Sequence, residues 1–183
     1  QRPKAKRVLI PNRVSISKRF VGAVNRSRGG HWERDTIVGR KGTRGGLATA
    51  QERKTRLVTA QRVESMRPIE HLKADQTMFE DMKAFSISRD NGIENREHEA
   101  LGIPSFFCDP YSSWQKGGIE NANKMLRRYF PKGTDFSLVS QEDVDRAVLL
   151  INEKPRRILG YRSSLAEASR LSIIKKSSVL IQG

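Results

Sequence analysis

The chain has 183 residues, of which 35 are Lys or Arg and 20 are Asp or Glu, so its formal net charge is +15. A hydrophobic fraction of 36% is sufficient for one compact domain with its own core. No apolar run approaches the roughly 20 residues of a membrane span, and no apolar segment follows the basic start as in a signal peptide. The single cysteine, Cys108, excludes an intrachain disulfide and indicates a reducing compartment. We therefore expect a cytoplasmic protein without membrane contact.

The excess of positive charge favours a polyanionic partner such as nucleic acid, although solubilising or ribosomal-type charge explains it almost as well. Residues 1–30 are basic and carry few apolar side chains, which indicates an arm or linker. The pattern changes at His31, so we expect one folded core over residues 31–170 and a C-terminal tail over residues 171–183. Because the chain starts at Gln1 rather than Met, we expect further domains upstream.

Three short strands follow His31. The segments Trp32–Val38, Leu47–Glu52 and Leu57–Val63 have strand-like composition, and Gly42–Gly46 separates the first two. This spacing predicts two antiparallel hairpins.

Helices and short strands alternate after the hairpins. In chain order, the predicted elements are a helix from Pro68, a strand Ala84–Ser88, a helix Arg96–Leu101, a strand Ser105–Phe107, a helix from Ile119 to about Tyr129 and a helix opened by Ser140 and Asp143 and ended by Pro155. The first of these helices is predicted to bury Ile69, Leu72, Phe79 and Met82. The whole pattern predicts an α/β protein with a mixed sheet covered by helices, without determining the order of the strands.

Three carboxylates occupy positions suited to metal-dependent chemistry on phosphodiesters. Asp35 lies within the first strand, Asp90 directly follows a later strand, and Glu120 opens a helix. Two Mg²⁺ ions about 4 Å apart activate a nucleophile and stabilise the leaving oxygen, and such hard cations prefer carboxylate ligands. Each residue also has an explanation without a metal. For Asp35 it is an ion pair with Arg34 or Arg53; for the other two it is a turn and the helix dipole.

Long motifs surround these carboxylates. They are Gly30–Asp35, Glu52–Arg56, Asp90–Glu94, Asp109–Asn121 (DPYSSWQKGGIEN) and Arg127–Phe136 (RRYFPKGTDF). The first three resemble the retroviral-integrase-type core of bacterial transposases. The last two resemble, more narrowly, the insertion-sequence-30 family, and the similarity extends from about His31 to Ala168.

The resemblance implies a ribonuclease-H-like fold, with three antiparallel strands followed by two parallel ones, in which Asp35, Asp90 and Glu120 match the Asp-Asp-Glu triad. It implies two Mg²⁺ ions, replaceable by Mn²⁺, hydrolysis at transposon ends, and attack of the freed 3′-hydroxyl on target DNA. The implied partners are both DNAs, bound by a nucleoid-associated homodimer or higher multimer. A nuclease or resolvase without strand transfer and an inactive DNA-binding transposase remnant are the alternatives, and the three retained carboxylates argue against the remnant.

Two positions depart from the family pattern. Asn95 stands where an aromatic residue usually follows the Glu of the Asp-Asn-Gly-x-Glu motif, and residues 117–119 (GGI) replace a more polar run before Glu120. Both departures leave the carboxylates in place, so they bear on local packing or DNA contacts. The family's amino-terminal helix-turn-helix region is absent from this chain, so we expect recognition of transposon ends to require more than these residues.

Further residues are expected to support the carboxylates or to contact DNA. His31, Glu33 and Glu94 are candidates for orienting metal ligands, although a structural role explains His31 equally well. The expected DNA contacts are Lys116, Lys124, Arg127, Arg128, Arg156, Arg157 and Trp114. For Trp114 and the neighbouring Tyr111, stacking on a splayed base competes with anchoring of their loop to the core, and we favour anchoring.

Overall fold

A five-stranded sheet organises residues 10–175, the part of the chain that the computed structural model describes. Its strands are β1 (His31–Val38), β2 (Gly46–Glu52), β3 (Val58–Val63), β4 (Ser86–Arg89) and β5 (Ser105–Phe107). Their order is β3-β2-β1-β4-β5, with β1, β2 and β3 antiparallel and with β4 and β5 parallel to β1. The predicted mixed sheet and both hairpins are confirmed, and the order places β4 directly beside β1.

Helices cover both faces of this sheet. They are α1 (Val21–Val24), α2 (Pro68–Phe79), α3 (Gly117–Leu126), α4 (Gln141–Glu153) and α5 (Ser164–Arg170). The predicted capping box of α4 is confirmed: the side chain of Ser140 accepts from the backbone N–H of Asp143, and the carboxylate of Asp143 accepts from the backbone N–H of Ser140. None of the helices formed by residues 10–175 has the length and apolar character to cross a bilayer.

The prediction of a regular helix over Arg96–Leu101 is wrong. The structure has two short 3-10 turns instead, Ile93–Asn95 and His98–Leu101. Only Asn95 and His98 are buried in these turns, so the segment offers too little apolar surface to hold a regular amphipathic helix against the sheet.

The alternation of side chains along β1 separates two hydrophobic cores. Trp32 packs with α2 and α5 on one face of the sheet, whereas Ile37 packs with α3 and α4 on the other. Polar residues of the same strand follow the same rule. The side chain of Arg34 therefore points toward α2, and that of Asp35 points toward α3.

The buried face of α2 differs from the prediction. Phe79 is buried as predicted, but Ile69 is 48% exposed, and the rest of the face turned to the sheet carries His71, Ala74, Asp75 and Met78. Two polar residues point inward here because buried arginines of the sheet supply their partners. The apolar period of a helix cannot reveal such partners.

Segments outside the predicted core also pack against it. Ser15 pairs with Phe107 beside β5, Ala23 is 1% exposed, and Ile173 is 1% exposed in the core shared with α2. The folded unit therefore extends beyond residues 31–170 on both sides. The remaining parts of the predicted arm and tail, residues 1–9 and 176–183, lie outside the described residues.

Candidate active site

Two aspartates come together where two neighbouring parallel strands lie side by side: Asp35 lies within β1, and Asp90 directly follows β4. The register pairs Glu33 of β1 with Ser88 of β4, so Asp35 and Asp90, each two residues further on, come side by side. The ammonium of Lys116 lies 3.7 Å from Oδ1 of Asp35 and 3.6 Å from Oδ2 of Asp90. A single cation therefore lies between the two carboxylates.

Lys116 is fixed in this position. Its Nζ donates a 2.9 Å hydrogen bond to the backbone carbonyl of Arg34, and the residue is only 6% exposed. The lysine ends the 3-10 turn Ser113–Lys116 that leads into α3. A residue expected to contact DNA is thus placed at the centre of the carboxylate pair.

Each aspartate has one oxygen held by protein donors and the other turned to Lys116. The Nδ2 of Asn123 donates to Oδ2 of Asp35 at 2.7 Å. The Nδ2 of Asn95 donates to Oδ1 of Asp90 at 2.9 Å, and the backbone N–H of Gly92 donates to the same oxygen at 3.1 Å. The other two oxygens, Oδ1 of Asp35 and Oδ2 of Asp90, form a preoriented site for a positive charge.

Glu120 lies in the same cleft without joining the pair. It stands in the first turn of α3, and its exposed carboxylate is 3.5 Å from the Nζ of Lys124. Asp35, Asp90 and Glu120 all line a cleft of about 1090 Å³. Within residues 10–175, no three His, Cys, Asp or Glu side chains are close enough to hold one metal ion. The structure thus brings two members of the expected triad together and leaves the third at the cleft wall.

Glu33 holds helix α3 in position and does not contact Asp35. Its buried carboxylate accepts from the backbone N–H of Ile119 at 2.7 Å and forms an ion pair with Arg53. A side chain at Gly118 would place its Cβ 2.7 Å from Oε1 of Gln51 and 2.9 Å from Oε2 of Glu33. The glycine allows the helix to approach the sheet this closely. The contacts therefore give a packing reason for the unusual run before Glu120.

The other two expected supporting residues differ in their distance from the site. The ring of His31 hydrogen-bonds through Nδ1 to the hydroxyl of Ser86 at 2.8 Å, at the far end of β1, and burial lowers its pKa. Glu94 is half-buried close to the cleft. Burial raises its pKa, and the charges of Asp90 and Asp35 raise it further. The protonation of Glu94 is therefore coupled to the charges of the aspartate pair, whereas His31 does not contact that pair.

The expected DNA-contacting residues of α3 and its surroundings are divided between structural and exposed positions. Nη2 of Arg127 donates to the carbonyl of Val38 at 3.1 Å, and Nη2 of Arg156 lies 3.6 Å from Sδ of Met125. Burial lowers the pKa of both guanidiniums. Lys124, Arg128 and Arg157 are exposed. These three side chains are open to a phosphate, although the ammonium of Lys124 also faces the carboxylate of Glu120 at 3.5 Å.

The expected anchoring of the loop by its aromatic residues is wrong. Trp114 is 73% exposed and Tyr111 is 99% exposed. Gln115 holds the loop instead, because it accepts from the backbone N–H of Asp109 at 2.9 Å and donates to the carboxylate of Asp109 at 3.0 Å. Both aromatic side chains are therefore exposed, and Tyr111 lines the cleft.

Arg13 is a cleft residue that the sequence analysis missed. Its Nε donates to Oδ1 of Asn91 at 2.6 Å, its Nη2 donates to the carbonyl of Cys108 at 2.8 Å, and it lines the cleft. Its hydrogen-bond partners lie 78 and 95 residues along the chain. No local motif could have indicated this contact.

A buried ion cluster lies on the opposite face of the sheet. The carboxylate of Asp75 accepts from Nε of Arg34 and from Nη1 of Arg89, both at 2.7 Å. Burial alone would raise the pKa of Asp75, but the two guanidiniums outweigh it and hold that pKa below its usual value. Nη2 of Arg34 also contacts Nδ1 of His71 at 3.0 Å, and burial together with the nearby arginines lowers the pKa of His71 to about 4.

The fold belongs to the ribonuclease-H-like class of integrase catalytic cores. The crystal structure of the catalytic core domain of BIV integrase superposes with a TM-score of 0.59 over 78% of this chain and 95% of that domain, at 18% identity. This comparison confirms the fold that the motifs predict.

Comparison with curated sequences narrows the class further. The chain is 35% identical over 163 residues to the transposase for insertion sequence element IS1086 of Cupriavidus metallidurans, and 31% identical over 161 residues to the transposase InsI for insertion sequence element IS30A of Escherichia coli. These matches cover 85% and 84% of this chain but 48% and 42% of the relatives, so the chain spans about half of their length. No protein-family model matches. The homologues of this chain are transposases of the insertion-sequence-30 family, which confirms the resemblance.

Proposed function

We propose that this chain is the catalytic core of a DNA transposase, in which Asp35, Asp90 and Glu120 hold two divalent metal ions. The observation that carries this proposal is the pair of free oxygens, one on Asp35 and one on Asp90, that face a single cation in an open cleft. Glu120 lines the same cleft. Its exposed carboxylate belongs to a flexible side chain bound only to Lys124, so a rotation about its χ angles brings it toward the pair.

The donor set fits Mg²⁺, with Mn²⁺ as a substitute, because all three candidate ligands are carboxylates. When bound, such ions lower the pKa of an attacking water or 3′-hydroxyl and stabilise the leaving oxygen. The chain itself supplies orientation. Asn123 and Asn95 hold one oxygen of each aspartate, and Glu33 fixes the start of the helix that carries Glu120.

We propose transposon ends and target DNA as the substrates. The net charge of +15 favours a polyanion, and Lys124, Arg128 and Arg157 present exposed charges to phosphates. Trp114 is sufficiently exposed to stack on an unpaired base. Lys116, Arg127 and Arg156 remain proposed DNA contacts that need a shift of their present hydrogen bonds. The proposed active species is a homodimer or higher multimer, which light scattering with and without DNA would detect.

The test is an assay of nicking and of 3′-end joining with Mg²⁺ or Mn²⁺, comparing the wild-type chain with Asp90→Asn. We expect metal-dependent joining by the wild type and none by the variant. Nicking without joining would favour the nuclease or resolvase, and DNA binding without either reaction would favour the inactive remnant. Equal activity of both proteins would overturn the assignment of the triad.

A further inference from the structure

Asn95 connects the cleft to the buried ion cluster beneath the sheet. Its side chain is 5% exposed and uses both ends of the amide. Oδ1 accepts from Nη1 of Arg89 at 3.1 Å, and Nδ2 donates to Oδ1 of Asp90 at 2.9 Å. The same Nη1 of Arg89 donates to Asp75 at 2.7 Å. A continuous path of hydrogen bonds therefore runs from Asp75 through Arg89 and Asn95 to Asp90.

The arginine determines which way the amide of Asn95 faces. A guanidinium has donors and no acceptor, so only the oxygen of the amide can face Arg89. The NH₂ group must then point toward Asp90. The orientation of Asn95 is thus fixed by a charged group that is itself buried, with an exposed fraction of 1% for Arg89.

We propose that Asn95 is a positioning residue for Asp90: it holds Oδ1 of the aspartate so that Oδ2 faces the cation position between Asp35 and Asp90. The inference rests on the proposed metal function of this pair. An aromatic residue, which the family resemblance leads us to expect at this place, has no amide with which to make these bonds. Asn95 therefore supplies a polar connection at a position where an aromatic side chain would supply packing alone.

The geometry supports a role in orientation beyond a role in folding. The second donor to Oδ1 of Asp90 is the backbone N–H of Gly92 at 3.1 Å, within the turn that follows β4. Asn95 adds a donor from a different element, the 3-10 turn Ile93–Asn95, and that element is tied to the sheet through Arg89. Two donors from different directions restrict rotation of the carboxylate more than one does.

The test is Mn²⁺ binding to the full 183-residue chain, measured by calorimetry well below the unfolding temperature, together with thermal unfolding of each variant. Asn95→Leu removes the side-chain hydrogen bonds to Arg89 and Asp90 at similar volume, and we expect its Mn²⁺ affinity to fall about tenfold. The matched control is Asn152→Leu. Asn152 is also 5% exposed and makes two bonds, to the backbone N–H and carbonyl of Val58 at 2.9 and 2.8 Å. We expect this control to lower stability and to leave Mn²⁺ affinity unchanged.

A second measurement does not depend on the folding of a variant. In the wild-type chain, titration with Mg²⁺ should shift the side-chain amide resonances of Asn95 and leave those of Asn152 in place. Loss of Mn²⁺ binding in Asp90→Asn would establish that the metal uses this site. If Asn95→Leu then bound Mn²⁺ as tightly as the wild type, or if the Asn95 amide did not respond to Mg²⁺, the positioning role would be overturned. No Mn²⁺ binding by the wild type would overturn the metal function and this inference together.

Discussion

Two Arg-Asp dipeptides of neighbouring strands, Arg34-Asp35 and Arg89-Asp90, send their charges to opposite faces of the sheet. Both arginines turn toward α2, where Asp75 bridges them in a buried cluster. Both aspartates turn toward the cleft, where Lys116 is their shared cation. On the α2 face the chain supplies two cations for one buried carboxylate, and on the cleft face one cation for two partly exposed carboxylates. The first arrangement stabilises a fold, and the second leaves negative charge available to a ligand.

The largest expected effect concerns the buried side of this comparison. Asp75→Asn leaves two buried guanidiniums without a counter-charge, so we expect the free energy of unfolding to fall by about 3–5 kcal/mol. Urea denaturation at neutral pH measures it. Glu142→Gln is the control, because the pair of Glu142 with Arg146 is exposed and should contribute nothing measurable. Equal stability of wild type and Asp75→Asn would show that the cluster does not hold the α2 face together.

The same cluster should make the protein sensitive to acid through His71. Arg34 can only donate, so Nδ1 of His71 is the acceptor, and protonation of this nitrogen breaks the bond. The folded pKa of about 4 lies below the unfolded value near 6.5, so the unfolded state binds a proton first and stability falls as the pH drops from about 6.5 to 4. The loss reaches at most about 3 kcal/mol. The lowered pKa of Asp75 adds a loss in the same direction at still lower pH.

Denaturation curves collected between pH 7.5 and 4 test this dependence. His71→Gln retains an acceptor for Arg34 and has no titrating ring, so its stability should fall less steeply than that of the wild type between pH 6.5 and 4.5. The dependence that remains comes in part from His31, whose pKa burial also lowers. A variant that loses stability as steeply as the wild type across this range would exclude His71 as the origin.

On the cleft side, the expected change is in ligand binding. The ammonium of Lys116 occupies the position that a metal between the two aspartates would take, so Lys116→Met should strengthen Mn²⁺ binding. Even in water-like surroundings, a unit charge about 4 Å from a divalent ion contributes about 2 kcal/mol, which corresponds to about thirtyfold in affinity. Calorimetric titration measures it, with the exposed Lys132→Met as a control that should match the wild type. Weaker binding by Lys116→Met would mean that the lysine assists the metal and does not compete with it.

The smallest expected effect is the loss of stability caused by neutralising an aspartate on the cleft side. Asp35→Asn makes the same chemical change as Asp75→Asn, but the Asp35 side chain is 29% exposed and Lys116 retains Asp90 as a partner. We therefore expect a stability loss below about 1 kcal/mol. A loss as large as that of Asp75→Asn would abolish the distinction between a structural and a functional face.

Local sequence patterns predicted the individual helices and strands better than they predicted which of these elements lie side by side. The first three strands form where their composition predicts them, and Ile119, Ala122 and Leu126 of α3 are buried at the spacing of one helix face. The motifs also indicated the mixed sheet. The position of β4 beside β1 depends on pairing between residues about 55 apart, for which no local pattern exists.

The misplaced features share a physical cause: each depends on a polar partner that the apolar pattern of its own segment does not reveal. The inward face of α2 is set by Arg34 and Arg89, and the loop at the cleft is held by Gln115 instead of Trp114. Lys116 reaches the carbonyl of Arg34 from 82 residues away. The departure at Asn95 is visible in the sequence, but its hydrogen bonds to Arg89 and Asp90 are visible only in three dimensions.

The most direct test of the account is a crystal of this chain soaked in Mn²⁺, with anomalous difference density used to locate the metal. We expect a peak that contacts Oδ1 of Asp35 and Oδ2 of Asp90, with the ammonium of Lys116 displaced from between them. A bound Mn²⁺ elsewhere on the chain, with Lys116 still joined to both aspartates, would contradict it.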